Sequence, residues 1–258
     1  MNEKTILIER QEHIGIIILN RPDRLNTFNA QLAKELKKAL IELDEEKDIR
    51  VIVIKGAGEG FCAGIDIAEI EGKSPLELQK WEINMDEWLK TIAHISKPVI
   101  VAAHKIAVAN GIGIVAAADL AIAAEGTKFG ATAINVGLFC MVPAVPLSRS
   151  LGRKKALELL LTGDIIDSEE ALRIGLINKV VPKEELEAET LKMARKLADK
   201  SPVALQTGKR SFYKMSDLEY SKALDISGND FAMLGTTEDA REGIDAFFNK
   251  RKPEWKLK

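Results

Sequence analysis

Three uninterrupted apolar runs set the terms for this chain: VIVIKG at 51–56, PVIVAA at 98–103 and DLAIAAE at 119–125. A strand that is apolar at every position must be covered on both faces, the habit of parallel sheets flanked by helices. The intervening stretches supply those helices. After Asn29, an N-cap residue type, Leu32, Leu36, Leu40 and Leu43 recur at helical spacing, and a second helix is expected from about 75 to 95. Alternating strands and helices need crossovers, so the fold class is α/β with a largely parallel sheet. A hairpin precedes it: TILIER and IGIIILN are β-branched runs parted by QEH, and RPDRLNTF leads away from them.

From Ser168 onward the chain reads as helix after helix. Ser168 stands before two glutamates, Pro182 and Pro202 fall where first-turn prolines belong, and Leu186, Leu191, Ala194 and Leu197 form an apolar stripe. The expected division is an α/β core at 1–195 and a C-terminal helical region at 196–258 that packs on the core or on another subunit.

Composition narrows the function. The 37 Lys and Arg and 39 Asp and Glu are interleaved, for a net charge of -2, so no basic face is available to displace counterions from nucleic acid. Cys62 and Cys140 are too few for a disulfide scaffold and point to a reducing compartment, the cytoplasm. The opening MNEKTILIERQEH lacks the apolar core of an export signal. The weakly polar stretch 99–124 is interrupted by His104, Lys105, Asn110 and Asp119 and reads as a buried segment, not as a membrane span.

Two glycine-bearing segments carry the chemical signal. KGAGEGFCAGID at 55–66 follows a buried strand, and glycines permit both unusual dihedrals and close approach to backbone amides. In VANGIGIVAAADLAIAAE at 108–125, Asn110 and Gly111 lie between a strand and a short apolar helix, where N–H groups are left unpaired at the positive helix end. Side chains of minimal bulk suit a main chain that something must touch. Two sets of free amides meeting on one carbonyl oxygen would form an oxyanion hole.

GFCAGID (60–66), NRPDRLNTF (20–28), LLLTGDIIDSEEALRIGLINKVVP (159–182) and EGIDAFFNKRKPEW (242–255) together resemble the enoyl-CoA hydratase/isomerase, or crotonase, superfamily over nearly the whole chain. The resemblance implies a ClpP-like spiral of ββα units with a C-terminal helical trimerisation region, forming a homotrimer or a dimer of trimers. It implies an acyl-CoA substrate, with no cofactor beyond the coenzyme A that the substrate carries. By motif position the two amides belong to Ile65 and Asn110, beside Gly111. Ala63, Ile65, Asp66, Ile67 and Ala68 would line the acyl and pantetheine path, Arg24 and Leu25 would face the nucleotide, and Phe247 and Lys250 would reach a neighbouring subunit's CoA. The alternative for the last two is a helix packed by Phe247 and Phe248 with Lys250 in solvent.

The chain departs from the pattern at the acids. The two glutamates that hydrate enoyl-CoA in relatives fall, by motif position, on Gly113 and Ala133, neither of which can hold a proton. General acid–base groups contribute roughly 10² to 10⁴ in rate each, so two-glutamate hydration is not expected here. INVGLFCMVPAVPLSR and SFYKM look most like a hydratase-domain subgroup that lacks the same glutamates, and Lys105 stands where many relatives have glycine. Among possible substitutes, Asp66 and Asp119 read as structural and Glu125 as a solvated strand end. Cys140 is near the acyl region, and Glu71, Asp86 and Glu87 lie on a variable helix that closes over the acyl chain in relatives.

Three other readings are open. GIGIVA at 111–116 has a dinucleotide-like spacing, but Glu125 lies only 14 residues beyond Gly111, against about 20 in a Rossmann unit with a full crossover helix. Cys62 paired with His94 or His104 would suggest a CoA thioester hydrolase, though no GxSxG elbow is present. The missing acids fit a catalytically silent acyl-CoA binder or scaffold. His13, His94 and His104 are scattered, so no metal site is expected.

Overall fold

A computed structural model of the chain describes residues 4–256. In chain order its elements begin with β1 (Ile6–Gln11), β2 (Ile14–Leu19), α1 (Ala30–Glu45), β3 (Val51–Gly56), α2 (Pro75–His94), β4 (Val99–Ala103), β5 (Ile106–Val108) and α3 (Asn110–Ala117). They continue with β6 (Leu120–Ala124), β7 (Lys128–Gly130), α4 (Met141–Ser150), α5 (Arg153–Thr162), β8 (Ile165–Ile166), α6 (Ser168–Arg173) and β9 (Lys179–Val181). Four helices follow: α7 (Leu186–Ala198), α8 (Pro202–Met215), α9 (Tyr220–Leu234) and α10 (Glu238–Phe248).

A six-stranded sheet runs β1-β2-β3-β4-β6-β9, with β1 antiparallel to β2 and every other neighbour parallel. The apolar runs are its centre, and alternate residues serve opposite faces. Ile17, Leu19, Ile52 and Ile54 join the core under α1, while Ile14, Ile16, Val51 and Val53 form a second cluster with Ala194 and Ala198 of α7. Leu32, Leu36, Leu40 and Leu43 of α1 are fully buried. Each contributes roughly 1.5–3 kcal/mol by leaving water. Asn29 caps α1 by accepting from the Leu32 amide, and Ser74 and Glu77 form a capping box on α2. A smaller sheet, β5-β7-β8, stands beside the first.

Several details differ from expectation. The helical run after Ser168 is interrupted by β9, which completes the main sheet. Strands of two or three residues, such as β5, β7, β8 and β9, are too short to show a period, so pattern alone could not find them. Asp167, not Ser168, caps α6 through the Glu170 amide, and Pro182 stands just before a short 3-10 turn. The division expected at 195/196 falls inside α7, whose last turn is packed on the sheet.

Candidate functional site

The segment 61–66 is stitched on both sides. Toward β5, the Cys62 amide donates to Ile106 O and the Val108 amide to Cys62 O, each at 3.0 Å. On the other side, the Ala63 amide donates to Leu25 O at 2.9 Å, Phe28 to Gly64 O at 2.8 Å and Asp66 to Phe28 O at 2.8 Å. Gly64, at φ +105°, reverses the alternation between these bonds. Before it the even-numbered Cys62 faces β5; after it the even-numbered Gly64 O and Asp66 N–H face Phe28. The Ile65 N–H is thereby turned from Phe28 toward the start of α3, and among the described residues it has no acceptor.

The facing chain delivers a second such group. Cys62 stands opposite Ala107 in a parallel bridge, and three steps further along each chain come Ile65 and Asn110. The Ala109 amide donates to Gly130 O, and α3 starts its own bonding with Gly113 donating to Ala109 O. The Asn110 and Gly111 amides are left without acceptors among the described residues. Ala109 adopts φ 47°, ψ -111°, a conformation that costs a non-glycine residue of order 1–3 kcal/mol and persists only under local constraint. A Cβ built on Gly111 would stand 2.4 Å from Cys62 O, so the start of α3 lies against the 61–66 segment. Unpartnered amides on two segments in contact suit one oxygen accepting from both at about 2.9 Å.

RPDRLN builds the wall beside this pair. Arg21 donates to Asp66 Oδ2 at 2.9 Å and to Thr27 O, and the pair is mostly buried, at 16 and 25% side-chain exposure. Asn26, fully buried, accepts from the Arg21 amide and donates to Ala57 O and Gly60 O. Leu25 and Asn26 both take left-handed backbone, at φ 47° and 56°. Arg21 and Asn26 are the residues that sequence reasoning missed, although both lie within the quoted motif. Arg24 and Leu25 are exposed at the rim, as are Ile67 and Ala68; Ala63 and Ile65 are half-buried.

The two positions without glutamate have different surroundings. A Cβ on Gly113 would lie 3.2 Å from Pro143 Cβ, so a larger side chain meets the proline ring. Beside Ala133, the Cys140 thiol is pushed up by burial, partly offset by a hydrogen bond with the Ala133 backbone. Cys62 is wholly buried, which pushes its thiol up to about 12, and its partner is Gly64 O. Its thiol is therefore not poised as a nucleophile. His104 instead contacts Gly58 O at 3.0 Å and His13 contacts Asp48 O at 2.8 Å.

Asp119 has the hydrogen-bonding role expected of it. Its carboxylate accepts from the Val99 amide at 2.7 Å, Lys209 Nζ at 2.7 Å and Tyr213 OH at 3.0 Å, tying α8 to the sheet two residues past the end of α3. Burial lowers the Lys209 ammonium against the opposing pull of Asp119. Glu87 is held by Lys37 and Lys90, and Glu71 and Glu125 are exposed. Phe247 and Phe248 are 79 and 76% exposed and line an apolar groove with Phe231, Ile244 and Trp255. Phe247 is not brought to the amide pair within this chain, and Lys250 is exposed. Among the described residues no group of three or more His, Cys, Asp or Glu could hold a metal, and no helix is long and apolar enough to cross a membrane.

A mixed six-stranded sheet covered by helices, with a small second sheet beside it and helices closing the chain, is the class of fold that comparison identifies. The enoyl-CoA hydratase/isomerase family model matches residues 9–258, and the chain belongs to that family. The mitochondrial enoyl-CoA hydratase domain-containing protein 3 of Rattus norvegicus is 36% identical over 247 residues, covering 95% of this chain and 82% of that protein. A probable enoyl-CoA hydratase of Rhizobium meliloti is 35% identical over 263 residues, covering 99% of both. The structure of an enoyl-CoA hydratase from Mycobacterium smegmatis matches with a TM-score of 0.95 at 35% identity over 98% of this chain and 99% of that one. Human enoyl Coenzyme A hydratase domain-containing protein 3 matches at 0.91 and 33%, over 97% and 100%. The fold is that of the crotonases, and within the family the chain stands near the domain-containing protein 3 subgroup.

Proposed function

We propose that this protein binds an acyl-CoA and stabilises negative charge on the thioester oxygen, as an oxyanion or enolate, with the Ile65 and Asn110 amides. The single observation that carries this reading is the pair of unpartnered N–H groups on adjoining segments. A preorganised donor of this kind is worth roughly 3 kcal/mol of activation energy. Gly111, Ala63, Asp66, Ile67 and Ala68 flank the thioester and pantetheine, and Arg24 and Leu25 at the rim face the nucleotide. The reaction is not two-glutamate hydration, because Gly113 and Ala133 supply no acid.

The second reading, a silent acyl-CoA binder, is favoured by the residues themselves: neither Gly113 nor Ala133 can carry a proton, and a larger group at Gly113 would press on Pro143. Residues 196–258 serve as the oligomerisation region of a homotrimer or a dimer of trimers, where Phe247 and Lys250 would meet a neighbouring subunit's CoA. The exposed Leu224, Phe231, Ile244, Phe247 and Phe248 support this, since isolated surfaces rarely carry so many large apolar groups. The two free, buried cysteines suit a reducing compartment, for which we propose the cytoplasm.

The test is incubation with crotonyl-CoA and with longer and cyclic enoyl-CoAs, following loss of the enoyl absorbance, beside calorimetric titration with the saturated acyl-CoAs. Saturable binding is expected. Turnover that disappears in Asn110→Pro supports the catalytic reading, and binding without turnover on any substrate supports the silent one. Absence of binding contradicts both.

A further inference from the structure

Among the described residues, the last backbone hydrogen bond between the 61–66 segment and β5 runs from the Val108 amide to Cys62 O. Just beyond it Gly64 and Ala109 face one another. A Cβ built on Gly64 would stand 2.9 Å from Ala109 Cβ, so the alanine methyl fills the space that the glycine leaves open. Each of these residues immediately precedes a member of the amide pair, Gly64 before Ile65 and Ala109 before Asn110.

A trans peptide holds its C=O and N–H in one plane and pointing opposite ways, so the carbonyl of the preceding residue aims each donor. Gly64 O accepts from the Phe28 amide at 2.8 Å, which turns the Ile65 N–H away from Phe28. Ala109 O accepts from the Gly113 amide at 3.1 Å, which sends the Asn110 N–H out of the start of α3. Both planes are pinned from behind, and the angle between them depends on the torsions at 64 and 109. Gly64 sits at φ +105° and Ala109 at φ 47°, ψ -111°. Glycine would take the Ala109 conformation without strain, yet the chain carries alanine there. The methyl costs stability where it stands, and what it touches is Gly64.

We infer that Ala109 is a positioning residue: its methyl, seated against Gly64, is a spacer that fixes the angle and separation of the Ile65 and Asn110 N–H groups and so favours an enolate over a neutral thioester. This rests on the thioester reading of the amide pair. Preorganised donors stabilise developing charge because they need not reorient when it appears; a loosened pair loses that advantage while still binding a neutral carbonyl. The strain relieved by removing the methyl is at least comparable with the chain entropy that glycine adds. Stability and charge stabilisation are therefore expected to move apart.

The test compares the wild type, Ala109→Gly and Ala109→Ser, which keeps the Cβ. Ultraviolet titration of each protein saturated with 3-oxobutanoyl-CoA gives the pH at which half of the bound ligand is enolate, calorimetry with butanoyl-CoA gives the affinity for a neutral thioester, and thermal melting gives stability. Ala109→Gly is expected to melt no lower than the wild type, to bind butanoyl-CoA within about twofold of it, and to raise the enolate midpoint by about one pH unit, a roughly tenfold loss of preference for the charged form. Ala109→Ser should keep the wild-type midpoint. An unshifted midpoint in Ala109→Gly, or an equal shift in Ala109→Ser, overturns the spacer role and leaves the thioester reading intact. A fall in butanoyl-CoA affinity as large as the loss on the enolate makes the methyl structural only and overturns it as well. Absence of an enolate band in the wild type at any pH overturns both readings.

Discussion

Gly111 lies against Cys62 so closely that a Cβ on the glycine would stand 2.4 Å from the Cys62 carbonyl oxygen. The obstacle is backbone, which cannot rotate aside, so Gly111→Ala must push α3 away from the 61–66 segment. The expected outcome is a loss of about 1–3 kcal/mol in chemical denaturation, as for other overpacked sites. Loss of acyl-CoA binding should accompany it, because the same shift separates Asn110 from Ile65. A variant as stable as the wild type with undiminished binding would show that the two segments need not touch.

Arg21 ties the loop before α1 to Asp66, the neighbour of Ile65. Arg21→Met leaves a mostly buried carboxylate without its cation, and about 2 kcal/mol of stability should be lost. Arg21→Lys restores the charge but not the two-pronged reach to Thr27 O and Asp66, so it should recover only part of that loss. Urea denaturation of the three proteins checks this ordering; full recovery with lysine would mean that charge alone suffices.

Lys105 occupies left-handed backbone at φ 61°. A side chain there costs roughly 1–2 kcal/mol that glycine avoids, offset in part by the entropy glycine loses on folding. Lys105→Gly is expected to stabilise the protein by up to about 1 kcal/mol in thermal denaturation. Destabilisation would indicate that the Lys105 side chain has a role of its own.

Because Asp86 in the folded chain holds its proton up to about pH 7, far above an ordinary aspartate, folding takes up a proton between roughly pH 4 and 7. Its contribution to stability therefore falls as pH rises through that window and stays low above it. Glu82 is raised as well, by burial. Asp86→Asn removes the Asp86 penalty, so melting curves should show the variant gaining on the wild type from pH 5 to pH 8. A gap that does not change with pH would place Asp86 in ordinary solvent.

The long elements were legible because their signals are periodic. Four leucines at helical spacing gave α1, unbroken apolar runs gave β3, β4 and β6, and Asn29 and Pro202 marked helix starts. The smaller sheet was not, since β5, β7 and β8 are held by partners distant in sequence and not by any local pattern. At the site, glycine-rich composition and motif resemblance led to Ile65 and Asn110. The Arg21–Asp66 pair and the buried role of Asn26 depend on loops that meet only in three dimensions. The same is true of Asp86: nothing in its sequence neighbourhood separates it from Glu87 one position away, which is paired with Lys37 and Lys90, and only the packing around α2 leaves Asp86 facing burial and Glu82 instead.

The central claim is most directly tested with 3-oxobutanoyl-CoA, which carries an acidic α-carbon and forms an enolate whose charge is shared between its ketone and thioester oxygens. Ultraviolet difference spectroscopy on mixing it with the protein at neutral pH should reveal the enolate band. That band should vanish when the Asn110 N–H is removed by replacing the residue with its α-hydroxy acid analogue. A bound ligand that stays in its keto form in the wild type, or an enolate band that survives the loss of the Asn110 N–H, would contradict the account.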